Sequence, residues 1–172
     1  MCAPISISPL FNWRNVAFRD RRATSVTRVC AMLDLFTILT SGGIVLFHES
    51  QGSAQSAPSY LIDRLISDVF MQQRSSDKEY AQDGYTVKWT FANELGLIFV
   101  AAYQKILALT WVDDLLVAVK RMFTKLYGDS LKAGDMAAVI SDLNGVECHF
   151  GSWFENKVTA YEGTKVLFLW RC

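Results

Sequence analysis

Between Leu95 and Val112 the chain is almost unbroken in apolar character, nearly the length that carries a helix across a bilayer. Gln104 and Lys105 sit near the middle of that run. A lysine at bilayer centre costs roughly 2.5–3.5 kcal/mol even on the lenient insertion scale. The two apolar stretches, Leu97 to Val100 and Ile106 to Val112, flank Tyr103-Gln104-Lys105 and predict two buried strands joined by a tight turn. Periodicity alone leaves a single buried helix open. After Val112 the period lengthens. Leu115, Leu116, Val119, Phe123 and Leu126 recur three or four apart, as on one face of a helix. Asp113 stands at the expected N-cap, with Asp114 in the first turn. Lys120, Arg121 and Lys125 lie toward the end that the helix dipole prefers for cations, and Gly128 reads as the C′ residue.

The same reading extends to the rest of the chain. "LDLFTILTSGGIVLFHE" places two apolar runs around Ser41-Gly42-Gly43, a hairpin signal because glycine reaches positive φ cheaply. Residues 50–59 read as a small-residue loop. Ser59 then caps a predicted helix with the stripe Ile62, Leu65, Ile66, Val69, Phe70, and Asp63, Arg64, Ser67, Asp68, Gln72 opposite. Residues 74–84 read as polar loop. In "YTVKWTF", Tyr85, Val87, Trp89 and Phe91 alternate with Thr86, Lys88 and Thr90, the clearest strand pattern in the chain. "DMAAVISDLNG" predicts a short helix ending before Gly145. Trp153, Phe154, Val158 and Tyr161 make a weaker helical stripe stopped by Gly163, and "TKVLFLWRC" is an atypical apolar tail. The order β-β-α-β-β-β-α-(α) predicts an α/β (α+β) domain with about five strands in one sheet, flanked by helices.

Composition supports a globular domain, with 51% apolar and 20% charged residues over 172 positions. The net charge of zero gives no electrostatic case for nucleic acid or acidic lipid. Charge is unevenly spread, however. Residues 1–31 hold Arg14, Arg19, Arg21, Arg22 and Arg28 against Asp20 alone, a net +4. That basic segment has the composition of an organelle transit peptide; a disordered extension or a wrongly chosen start codon gives the plainer reading. Cys2, Cys30, Cys148 and Cys172 show no C-x-x-C spacing, which favours a reducing compartment.

Catalytic chemistry finds little to work with. The two histidines are His48, at the predicted end of a strand and best read as solvent-facing, and His149. Cys148-His149 suggests a metal or thiolate pair, but two adjacent residues cannot complete a tetrahedral site. Asp113-Asp114 is better explained by helix capping than as a carboxylate pair, since neighbouring helical residues diverge by about 100°. Neither a G-x-x-x-x-G-K-[ST] nor a G-x-G-x-x-G motif occurs. Tyr85, Trp89 and Phe91 suggest base stacking only until the lack of a basic groove is noted; core packing explains them. Binding, rather than catalysis, is the expected role, with no catalytic residue, cofactor site or metal site assigned.

"MLDLFTILTSGGIVLF" from Met32, "LGLIFVAAYQKILALTWVDDLLVAVKRMF" and "LNGVECHF" together resemble the N-terminal domain of the signal recognition particle receptor alpha subunit, over about residues 32–155. The resemblance implies a longin-type, SNARE-like fold over residues 32–162, with 1–31 an extension and 163–172 a tail outside the pattern. It implies a docking module that binds the receptor's beta subunit, a small GTPase, in its GTP-bound state on the cytoplasmic face of the endoplasmic reticulum membrane. Through that subunit it would serve the particle and the ribosome. GTP would sit on the partner; the family's own GTP hydrolysis resides in a C-terminal P-loop domain that these residues do not contain, so this chain is expected to be no enzyme. The extension and the tail suggest an incomplete or mis-spliced gene model, or a short isoform. Ser41, Gly42, Gly43, Arg64 and Asp68 are the candidate interface residues. A different longin-type trafficking subunit is the first rival; an enzyme using Cys148-His149, or a mitochondrial protein addressed by residues 1–31, is the second.

Overall fold

The computed structural model describes residues 32–50, 79–145 and 148–169, and the elements below are numbered among them. The predicted helix after Ser59 and the segment 1–31 lie outside the described residues. Five strands form one antiparallel sheet: β1 (Leu35–Thr40), β2 (Val45–Ser50), β3 (Glu79–Gln82), β4 (Tyr85–Ala92) and β5 (Leu97–Gln104), in the order β2-β1-β5-β4-β3. Three helices follow: α1 (Val112–Lys132), α2 (Met136–Leu143) and α3 (His149–Leu169). The fold class is as expected, a five-stranded sheet with helices.

The strand inventory departs from the expectation in two places. Residues 79–82 are not loop but the short edge strand β3, joined to β4 through Asp83 (φ 51) and Gly84 (φ 82). Two successive positive φ angles are what a tight two-residue hairpin turn demands. Residues 106–112 are not a strand. The chain does bend at Gln104-Lys105, but into a single 3-10 turn, Lys105–Leu107, and then a short connection into α1. Ile106 is 86% exposed, whereas Leu109 and Trp111 are buried. The second apolar run therefore seals the end of the core instead of pairing in the sheet.

β5, buried over Leu97 to Tyr103, sits at the centre of the sheet, with β1 on one side and β4 on the other. Its side chains alternate between two clusters. Leu97, Phe99, Ala101 and Tyr103 join the helices, while Ile98, Val100 and Ala102 join Leu35, Leu39, Val87 and Trp89 on the second face. A central strand buried on both faces reads as a continuous apolar run, which is why this one imitates half of a membrane span. Among the described residues no helix is long and apolar enough to cross a membrane.

α1 packs on β4 and β5 through Val112, Leu115, Leu116, Val119, Phe123 and Tyr127. Leu126, expected on that stripe, is 37% exposed, and Tyr127 takes its place. The helix has Trp111 rather than Asp113 at its N-cap. Asp113 instead accepts a 2.6 Å bond from Lys88, whose side chain is only 12% exposed. The polar side of β4 thus lies beneath α1 and not in solvent. Gly128 is helical, with the helix continuing to Lys132 and ending before Gly134 (φ 81). Asp135 caps α2 by accepting the Ala138 N–H, as a short helix here requires. α3 runs through Gly163 to Leu169. Phe150, fully buried, meets Phe47 at 5.0 Å and Phe123 at 5.1 Å, and so joins β2, α1 and α3. Burying a phenylalanine stabilises by roughly 1.5–3 kcal/mol.

Candidate functional site: the hairpin end of the sheet

Ser41-Gly42-Gly43 forms a three-residue hairpin loop. Gly43 N–H donates to Thr40 O (2.9 Å), closing a β-turn, and Thr40 N–H donates to Ile44 O (2.8 Å) around it. Gly43 alone of the three takes positive φ, at 85°. A turn followed by a left-handed glycine opposite a strand pair is the bulged hairpin that three-residue loops favour. The Ile44 N–H, which this pattern leaves without a ladder partner, donates 3.0 Å to the Thr40 hydroxyl. A register shift between Ile38 and Leu39 follows one step further along the pair.

A second turn stands beside the first. Thr40 pairs with Leu97 and Ala92 pairs with Leu97, so the start of β5 brings the β4–β5 connection alongside the hairpin. That connection is the 3-10 turn Asn93–Leu95, closed by Gly96 at φ 59. Ser41 N–H donates 2.7 Å to Gly96 O. A Cβ on Gly96 would lie 3.3 Å from the Ser41 hydroxyl, tighter than ordinary contact. The two turns together present Ser41, Gly42, Ile44, Asn93 and Glu94 as exposed residues, and Ile44 is 43% exposed.

Of the five candidate interface residues, Ser41, Gly42 and Gly43 therefore share one surface, while Arg64 and Asp68 lie outside the described residues. Ile44, Asn93 and Glu94 belong to the same end, and the sequence pattern does not single them out. Gly96 is the available signal, a glycine where the chain reverses between two apolar strands.

The rival chemistry is placed apart. His48 lies within β2, opposite Thr37, and is half-buried rather than at a solvent-facing strand end; desolvation holds its imidazole below the usual value. Cys148 is buried, and its sulfur accepts the Gly151 N–H at 3.2 Å as α3 begins, while His149 is exposed. The two point into different surroundings, one into core and one into solvent. Asp113 is committed to Lys88, and Glu79 lies 3.6 Å from the same ammonium. Burial pulls the Lys88 pKa down, but the Asp113 bond and the nearby charges outweigh it and raise it overall. No group of three or more His, Cys, Asp or Glu able to hold a metal ion occurs among the described residues.

At the opposite end of β5, Asp34 Oδ2 accepts the Gln104 N–H (3.1 Å), and Glu162 Oε1 on α3 accepts the Met32 N–H (2.6 Å). Burial raises both carboxyls above their ordinary values against these stabilising bonds. Trp111 stacks on Tyr161 at 5.5 Å nearby, which fixes α3 against the connection into α1.

Comparison with known proteins agrees with this architecture. The family profile described as "Signal recognition particle, alpha subunit, N-terminal" matches residues 60–166. The signal recognition particle receptor subunit alpha of Homo sapiens is 36% identical over 114 residues, which is 66% of this chain and 17% of that relative. Its Drosophila melanogaster homolog is 37% identical over 105 residues, 60% of this chain and 17% of the relative. The chain thus spans about a sixth of the length of these curated relatives. A solved chain from the "Signal recognition particle receptor SRb-GTP/SRX complex from Chaetomium thermophilum" is 29% identical, covers 74% of this chain and 97% of its own length, and superposes with a TM-score of 0.58.

Proposed function

This chain belongs to the family of the signal recognition particle alpha subunit N-terminal domain, and from that premise we propose that it is a docking module for the GTP-bound beta subunit of the receptor. The single observation that carries the reading is the likeness, in both sequence and fold, to a chain solved in a complex named for SRb-GTP. The role is co-translational protein targeting, with the module held peripherally at the cytoplasmic face of the endoplasmic reticulum membrane by its partner. Links to the particle and the ribosome run through the assembled receptor. The nucleotide belongs to the partner, and this chain contributes contacts rather than hydrolysis.

Discrimination between nucleotide states requires contacts that exist in one state and not the other. Switch segments ordered by a γ-phosphate supply such contacts on a GTPase. The hairpin end supplies a suitable counterpart: a hydrogen-bonded tip with exposed main chain at Gly42, a small polar rim and one apolar side chain, Ile44. This reading places Ser41, Gly42 and Gly43 at the interface. The family profile and the SRX likeness favour it over another longin-type trafficking subunit.

The test is capture of purified beta subunit by this chain, with the beta subunit loaded with GTP or with GDP. Retention in the GTP form alone is the expected result. Equal retention in both forms, or none, overturns the docking function.

A further inference from the structure

We propose that Thr40 is the positioning residue of the docking hairpin: its hydroxyl holds the tip in the one shape that the partner reads. The proposal rests on the docking reading above. Thr40 is 7% exposed and does not face a partner; the exposed tip begins at Ser41. Three bonds converge on Thr40 all the same. Its N–H donates to Ile44 O, its carbonyl accepts from Gly43 N–H, and its hydroxyl oxygen accepts from Ile44 N–H at 3.0 Å. The first two are main-chain bonds that any residue at position 40 makes. The third depends on the side chain.

It is also the bond that the bulge makes necessary. A bulged hairpin leaves one N–H out of the ladder, and an unpaired main-chain donor is costly when shielded from water. Ile44 is the apolar residue of the tip, so the hydroxyl that binds its N–H fixes the direction in which that side chain leaves the hairpin. Gly43 at φ 85 adds no side-chain constraint of its own. Without the hydroxyl the loop keeps its main-chain bonds, Ser41 N–H to Gly96 O among them, but the Ile44 N–H loses its own; the tip gains alternative shapes, and a partner that accepts only one of them sees a smaller competent fraction. That loss falls on association rate, because dissociation starts from the same bound state.

Thr40→Val is nearly isosteric and removes the acceptor; Thr40→Ser restores it. Association and dissociation rates of the GTP-loaded beta subunit with the 172-residue chain separate the outcomes. The expected result is an association rate about twofold lower for T40V, since losing one ordinary hydrogen bond leaves a largely populated shape at roughly half its former fraction, with dissociation unchanged and T40S close to the starting protein. A lower thermal midpoint of T40V without a change in association rate marks a merely structural role and overturns the proposal. So do unchanged rates in T40V, or T40V and T40S slowed equally. If the unsubstituted chain fails to bind the GTP form, the docking reading itself fails, and that result is distinct from the others.

Discussion

At one end of β5, Ser41 and Gly96 meet main chain to main chain and a neutral hydroxyl closes the hairpin; at the other, Asp34 and Glu162 receive main-chain N–H groups on partly buried carboxylates. The ends are roughly 25 Å apart, at about 3.3 Å per residue along an eight-residue strand. Both ends are held by hydrogen bonds, but of different kinds. Uncharged main-chain and hydroxyl bonds hold the first, so none of the bonds that hold it titrates. Charged groups that lose solvation on folding hold the second, and these tie α3 and the start of β1 to the sheet. A surface meant to present one fixed outline to a partner is better built the first way; joining the chain's distant segments tolerates the second.

The sharpest way to test the first half of that contrast is through glycine. Gly96 and Gly84 both have positive φ, at 59° and 82°, one at each end of the sheet. A Cβ at Gly84 meets nothing within 4 Å, whereas at Gly96 it meets the Ser41 hydroxyl at 3.3 Å. Gly84→Ala carries only the left-handed penalty, about 1 kcal/mol. Gly96→Ala carries the same penalty and adds crowding of its Cβ against the Ser41 hydroxyl, for a loss of roughly 2 kcal/mol in urea unfolding. Equal losses at the two sites would mean that the turns are not braced against each other.

The second half is tested by pH. A carboxyl whose folded pKa lies above its unfolded value binds protons more readily in the folded state. Its contribution therefore weakens as pH rises through that window and recovers as pH falls back to the unfolded value. Asp34 and Glu162 are both raised, above 3.8 and 4.5 respectively, chiefly by desolvation. Glu162→Gln keeps an acceptor for Met32 N–H and removes the charge. The expected outcome is that E162Q is more stable than the starting chain at neutral pH, and that the gain shrinks as pH falls toward 4.5. Taking the difference between the two proteins cancels His48, which is held low by desolvation and runs in the opposite direction with pH. A difference that is flat from neutral pH to about pH 4 would remove the carboxylate character assigned to this end, as would the same pH dependence appearing in Thr40→Val.

How much of this contrast stands in the sequence depends on how local its causes are. The hairpin does, because Ser41-Gly42-Gly43 between apolar runs specifies its own turn. The strand Tyr85–Ala92 does too, through strict alternation. The edge strand Glu79–Gln82 does not: of four residues, two of them exposed, only Tyr80 packs against the core, too little to mark a strand, although Asp83-Gly84 is a hairpin dipeptide that outweighs the polar run before it. Ile106 to Val112 misleads in the opposite way. Its apolar residues divide between solvent and the end of the core, a split that only the packing of α1 decides. Gly128 and Gly163 read as helix stops, yet α1 and α3 pass through both; at Gly128 the packing of Phe123, Tyr127 and Leu131 on the core outweighs a propensity cost of about 1 kcal/mol. The neighbourhood of the hairpin is invisible for a related reason. Asn93 to Gly96 reaches Ser41 only through the β1–β5 register, a pairing between strands far apart in the chain.

The smallest expected effect separates the ends as surfaces. Ile106 and Ile44 are the most tempting exposed isoleucines, one at each end, at 86% and 43%. Neither supports much of the core, so Ile106→Ser and Ile44→Ser should each change stability by within about 0.5 kcal/mol. Their effects on docking should differ. Ile44 leaves a tip fixed by Thr40 and braced by Gly96, so a partner meets it without an ordering cost. Ile106 follows Lys105, whose N–H donates 2.7 Å to Gly84 O, and so belongs to the end that joins the chain together. Ile44→Ser should weaken capture of the GTP-loaded beta subunit, and Ile106→Ser should leave it unchanged. The reverse result would move the interface to the carboxylate-held end, and would mean that a tip held by neutral groups is not what marks the docking surface.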